Sequence, residues 1–376
     1  MKYHQFRSGR SLAFRYSAGL AFVLALSVPA QAGDVTVTNL VTNDQSVNQA
    51  QITDPNLVNP WGVSFSSTSP LWVSDNGTNV STLYSITPGD VVKEVTNPTL
   101  FPVNIPGGTP TGQIANSNTS AFNGDAFVFV SQSGAVTGWQ PSFGNTAQVI
   151  VAANSANSYD GAAQVTVNGD TYLLAANNKT GNIDVIAGTP GAPALAGTFK
   201  DSSLPAGSMP YNVQTLNGVV YVTYTNNIVD AFSTTGEFLG RVGTGGTLND
   251  PWGLAIAPSS FGSLAGDLLV GNLASGQISV FGIGSNSTFT ALGVLNGTNG
   301  APIVIPDLWS LYVGNNAAAG SGSNQQVYFT AGTNGYQAGL LGVIQSVPEP
   351  SSAVLGLIAV GVLAGQWQWK NRRRAV

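Results

Sequence analysis

Five residues of this 376-residue chain are spaced for ligand chemistry: Trp61, Asp160, Tyr211, Trp252 and Trp309. Each stands at the start of an apolar, alternating stretch, and Asn and Asp side chains lie close by in sequence. Flat aromatic faces beside such side chains suit sugar rings, whose C–H groups stack on the ring while the hydroxyls take hydrogen bonds. The competing use of the same residues is packing, since large aromatics are chiefly core material. Asp160, with Asp75 in "DNGTN", is also a candidate ligand for Ca²⁺, an ion that can polarise a carbonyl or activate water in a hydrolase. Gly77 stands where a loop of EF-hand type needs a ligand, and positions equivalent to Asp160 are Trp or Tyr. The expectation is therefore no cofactor, with Ca²⁺ the one candidate. A second set, Asp75-Asn76, Asn177-Asn178, Asn226-Asn227, Asn272 and Asn315-Asn316, is explained by tight hairpin turns, because Asn and Asp tolerate left-handed backbone.

Several chemistries are excluded outright. The single histidine is His4, and cysteine is absent, which removes Ser-His-Asp and Cys-His nucleophiles and zinc sites built on His or Cys from the body of the chain. No G-x-S-x-G, P-loop or G-x-G-x-x-G pattern occurs there. Residues 33–347 hold only Lys93, Lys179, Lys200 and Arg241 against every acid of the chain but Glu349, so no basic patch exists to neutralise phosphates and nucleic acid is not a partner.

The elements that position the five residues repeat. "NPWGVSFSSTSPLWVSDNGTNVSTLYSITPG" (Asn59 to Gly89) has a near twin in "DPWGLAIAPSSFGSLAGDLLVGNLASGQISVFG" (Asp250 to Gly282), and looser copies fill the space between and after them. Each reads as three short strands separated by polar turns, with a fourth in the linking segment. Taking Trp61, Gln113, Asp160, Tyr211, Trp252 and Trp309 as equivalent points gives six units of propeller-blade length. The expected fold is all-β: a six-bladed β-propeller of four-stranded antiparallel blades over residues 33–346. A stack of sheets or two β-sandwiches is the alternative. "DVTVTNLV" (Asp34 to Val41) alternates like a strand and is expected to pair into the last blade and close the ring.

The two ends carry addresses. Lys2, Arg7, Arg10 and Arg15, then the apolar Leu20 to Val28, then Ala30-Gln31-Ala32 describe a secretory signal peptide over residues 1–32. At the other end, Val347-Pro348-Glu349-Pro350 precedes an apolar segment, 353–369, and a basic end with Arg372, Arg373 and Arg374. That segment is a short candidate for a transmembrane helix, with its basic flank on the cytoplasmic side.

This order closely resembles the PEP-CTERM sorting signal over residues 347–376. The resemblance implies processing by an exosortase-type membrane protease, transient membrane attachment through the tail, and export in a Gram-negative bacterium that makes extracellular polysaccharide. The "PWG" repeats resemble propeller repeats of NHL type, and the body is similar to an uncharacterised family of exported PEP-CTERM proteins. The expected role is a non-catalytic envelope or matrix propeller that binds a glycan, or an envelope protein, within an exopolysaccharide layer. A calcium-dependent propeller hydrolase or lactonase and a protein-interaction scaffold are the alternatives.

Overall fold

The computed structural model describes residues 34–347. The expected signal peptide and the sorting tail after Val347 lie outside them. Within them the chain is built of strands, with one four-residue α-helix, Thr333–Tyr336, and short 3-10 turns. The strands form six separate sheets arranged as the blades of a propeller, as the repeat predicts.

The innermost strands of blades one to six are Pro60–Ser64, Pro110–Ala115, Tyr159–Val167, Pro210–Leu216, Pro251–Ile256 and Leu308–Val313. Each blade then meanders outward through antiparallel neighbours, four strands deep in five of the six. Hairpins are set by local chemistry: Asn168-Gly169 and Asn217-Gly218 take positive φ at both positions, the backbone that two-residue hairpins require.

Blade three has three strands, Tyr159–Val167, Asp170–Asn177 and Asn182–Ala187. The segment that follows contains Pro190, Pro193 and Pro205, which lack the N–H a ladder needs. It covers the sheet irregularly, placing Ala192, Leu195, Phe199 and Leu204 on the apolar core between blades three and four.

Ring closure follows the expectation. Val35–Thr42 pairs antiparallel with Leu340–Ser346 and becomes the outer strand of blade six, so the first strand of the body completes the last sheet. Val35, Leu40 and Val41 are buried by this pairing. The core is divided accordingly. Six apolar clusters sit one at each blade-to-blade interface, as in Leu174 of blade three against Val213 and Val222 of blade four.

The "PWG" motif has two structural causes. Every innermost strand carries a bulge at its start, which turns one residue off the ladder toward the propeller axis. The next residue lies where adjacent innermost strands approach most closely. A Cβ on Gly62 would meet the Thr111 carbonyl oxygen at 2.4 Å, and one on Gly112 the Ala162 nitrogen at 2.3 Å. Only glycine fits at those two positions, as at Gly161 and Gly253, whereas blades four and six carry Asn212 and Ser310 there. The register also corrects one equivalence: Pro110 pairs with Ser131 as Pro60 pairs with Asp75, so Thr111, and not Gln113, is the counterpart of Trp61. Without an aromatic at that position in the second blade, alternation alone left the strand start ambiguous by two residues.

Candidate functional site

The bulges gather Trp61, Thr111, Asp160, Tyr211, Trp252 and Trp309 around one end of the axial channel. Trp61 and Trp309 stack with ring centroids 3.6 Å apart and planes 22° from parallel, and Trp252 meets both edge-on at 6.2 and 5.8 Å. Their faces are spent on one another, and all three are buried, with 7, 3 and 5 % of their surface exposed for Trp61, Trp252 and Trp309. Tyr211 packs on this cluster from blade four, half-buried. The Trp309 indole N–H donates to Asn59 Oδ1 at 2.9 Å, whereas the indole nitrogens of Trp61 and Trp252 have no hydrogen-bond partner.

Asp160 is the exception in this ring of aromatics. It is 6 % exposed, its Oδ1 is buried with no hydrogen-bond partner, and burial pushes its carboxyl up from the ordinary 3.8 to about 7. Burial, and then Asp250, Asp160 and the Tyr336 phenol nearby, push the Tyr211 hydroxyl above its ordinary value, so that it is harder to ionise. Tyr336, from the short helix of blade six, is 41 % exposed and lies tilted over Trp309 at 5.7 Å. This end of the channel is therefore aromatic and acidic.

The opposite end is open. A cavity of about 550 Å³ runs down the axis from the far ends of the innermost strands, with Trp252 at its floor. Carboxamides line it in three successive blades, Gln113, Gln164 and Gln214, alternating with small and apolar side chains such as Ala163, Ile256 and Val313. Gln113 is buried and held by donating to the carbonyls of Gly62 and Trp72 at 3.0 and 2.8 Å, which leaves its Oε1 unpaired. Gln164 Oε1, Thr215 Oγ1 and Ser64 Oγ are likewise buried without partners. No Asp, Glu, Lys, Arg or His stands among the lining residues. None of the carboxamides was singled out in the sequence for this cavity. The available signal was a glutamine inside an innermost strand of three consecutive blades, where apolar residues are the rule.

The second expected metal candidate lies elsewhere. Asp75 ends the second strand of blade one, fully buried, and accepts from Thr82 N and Oγ1 at 3.1 and 2.8 Å. Burial pushes it well above the ordinary range against those two hydrogen bonds. Asp54, beside it, accepts from the Tyr84 hydroxyl at 2.6 Å. Among the described residues no three His, Cys, Asp or Glu side chains are placed to hold a metal ion together. The Asn positions act in turns: Asn227 and Asn316 take positive φ, and Asn272 Nδ2 donates to the Gln277 carbonyl at 2.9 Å.

Comparison with known proteins addresses the tail and the fold separately. The profile of the PEP-CTERM protein-sorting motif matches residues 346–374. The chain carries a PEP-CTERM sorting motif. With that motif, the molecule is an exported propeller whose surroundings are the cell surface or envelope. An uncharacterised protein of Acanthamoeba polyphaga mimivirus is 26% identical over 342 residues, covering 82% of this chain and 79% of its own. Among solved structures, a protein of unknown function from Bacteroides thetaiotaomicron superposes with a TM-score of 0.50 at 11% identity, over 84% of this chain and 76% of that one. A catalytically inactive virginiamycin B lyase from Staphylococcus aureus gives 0.48 at 14% identity, over 84% and 99%. These likenesses concern the fold.

Proposed function

We propose that this exported propeller binds a neutral saccharide, as part of a polysaccharide-rich layer, in the axial cavity above Trp252. The observation that carries the reading is the lining: carboxamides and hydroxyls, several unpaired, alternate with apolar groups and no charged side chain intervenes. Carboxamides both donate and accept, as sugar hydroxyls do, and apolar patches between them match the C–H faces of a pyranose. A volume of about 550 Å³ lies inside the usual range of small-molecule sites. An uncharged lining gives no general acid or base, which favours binding over hydrolysis at this place.

The test is calorimetric titration of the full-length chain with neutral and with uronic-acid oligosaccharides from bacterial exopolysaccharide. Saturable binding of the neutral set, lost in Gln214→Leu and weakened in Gln164→Leu, is the expected result. Equal binding of the acidic set, or binding indifferent to both variants, would refute the cavity as the site.

A further inference from the structure

The aromatic end of the channel is not used by this reading, and its chemistry is different. Five titratable groups from four blades face it: Asp160, Tyr211, Asp250, Asp307 and Tyr336. Asp250 acts on both phenols, and Asp307 acts on Tyr336, so the carboxylates and the two tyrosine hydroxyls share one mouth. The basic residues of the described body are engaged elsewhere. Arg241 is paired with Asp201 and Asp230, Lys179 donates to the Ser155 carbonyl at 2.5 Å, Lys200 lines a groove beside blade three, and Lys93 lies on the outer strand Val91–Glu94. Asp160 thus stays a nine-tenths buried carboxylate with an unpaired oxygen, at the bulge position from which Trp61, Trp252 and Trp309 reach the axis.

An unpaired carboxylate in an apolar place is costly, and it is tolerated where a ligand supplies the missing charge. We propose that this mouth is a second site, which takes an organic ammonium ion between the rings of Tyr211 and Tyr336 with Asp160 as its counter-ion. Aromatic faces attract such cations through their quadrupoles, and a carboxylate at the base adds the charge pair. A bare divalent metal fits the place less well, because it needs six or more oxygens and only carboxylates spaced around the mouth are on offer. The site lies at the other end of the channel from the saccharide cavity: Trp252 lines that cavity and meets the stacked Trp61 and Trp309 edge-on.

The experiment is titration of the full-length chain with choline chloride at constant chloride, followed by tryptophan fluorescence and by calorimetry. Binding that saturates, and tightens about tenfold from pH 6 to pH 8 as Asp160 ionises through about 7, is expected. Asp160→Asn should weaken it at least tenfold and remove the pH dependence, and Tyr336→Ala should weaken it severalfold. Asp170→Asn, in a hairpin on blade three, should leave it unchanged. No saturable signal at 100 mM choline and pH 8, or an undiminished affinity in Asp160→Asn, would overturn the site. A response to CaCl₂ that choline does not compete would overturn the ammonium assignment. Because none of these arms contains a sugar, failure here leaves the saccharide reading standing, and the reverse also holds.

Discussion

Asp160→Asn is the substitution from which most can be learned, because its effect on stability follows from burial alone. A carboxyl that titrates at about 7 in the folded chain and near 3.8 in the unfolded one binds more protons when folded throughout that interval. The stability it contributes is present below the unfolded value and is lost as pH rises through the folded value. Between pH 5 and pH 8 the wild type should lose about 2.5 kcal/mol through this group. Asn has the same shape and no charge, so the variant should lack that loss and be the more stable protein at pH 8. Urea unfolding of both proteins at the two pH values measures the difference between the two pH effects, in which the other buried carboxyls, Asp75, Asp125 and Asp230, cancel. Parallel pH dependence in the two proteins, to within about 0.5 kcal/mol, would show that Asp160 is ionised at no cost. The argument from an unpaired buried carboxylate would then fail.

Four further outcomes are expected. Gly62→Ala should destabilise by about 1–3 kcal/mol in urea unfolding, since its Cβ would strike the Thr111 carbonyl oxygen at 2.4 Å. Gly282→Ala, whose Cβ would meet Leu292 at an ordinary 3.5 Å, should stay within about 0.5 kcal/mol. Arg241→Ala should cost about 3–5 kcal/mol at pH 8, because it strands the fully buried Asp230 that accepts from Arg241 Nε at 2.6 Å. The cost should shrink at pH 5, where Asp230, pushed up to about 6 by burial against the pull of Arg241, takes a proton. Removal of Val35–Thr42 should leave the Leu340–Ser346 edge open and expose the apolar surface under Leu40 and Val41. Loss of a cooperative transition in circular dichroism, or soluble aggregates on gel filtration, would report it.

The fold was legible because its cause is periodic. Strand, turn, strand recurs with a Pro-aromatic-Gly start, and both halves of that start have a reason in the ring: a bulge aimed at the axis and a contact too close for a Cβ. The closing strand was legible from its alternation, and blade three's missing strand is explained by its prolines once the segment is seen off the ladder. The axial residues were only half legible. Their position at one mouth follows from the repeat, but whether a tryptophan presents its face to a ligand or to another tryptophan depends on side chains from blades one, five and six meeting across the axis. Sequence places Trp61 and Trp309 some 250 residues apart and says nothing of a 3.6 Å stack. The carboxamide cavity was hidden for the same reason, since Gln113, Gln164 and Gln214 become a site only when the sheet curls into a ring.

The two mouths also differ in how they stand to the sorting motif. In blade six the innermost strand runs from the aromatic end to the open end, Val327–Ala331 returns, and Leu340–Ser346 runs out again toward the open end. The backbone N–H of Val347 donates to the Asp34 carbonyl at 2.8 Å, so both ends of the described body sit together on the rim of the open face. The matched motif begins at residue 346. The address is therefore joined to the propeller at the end where the axial cavity opens, and the aromatic mouth with Asp160, Asp250 and Asp307 lies at the opposite end of the channel.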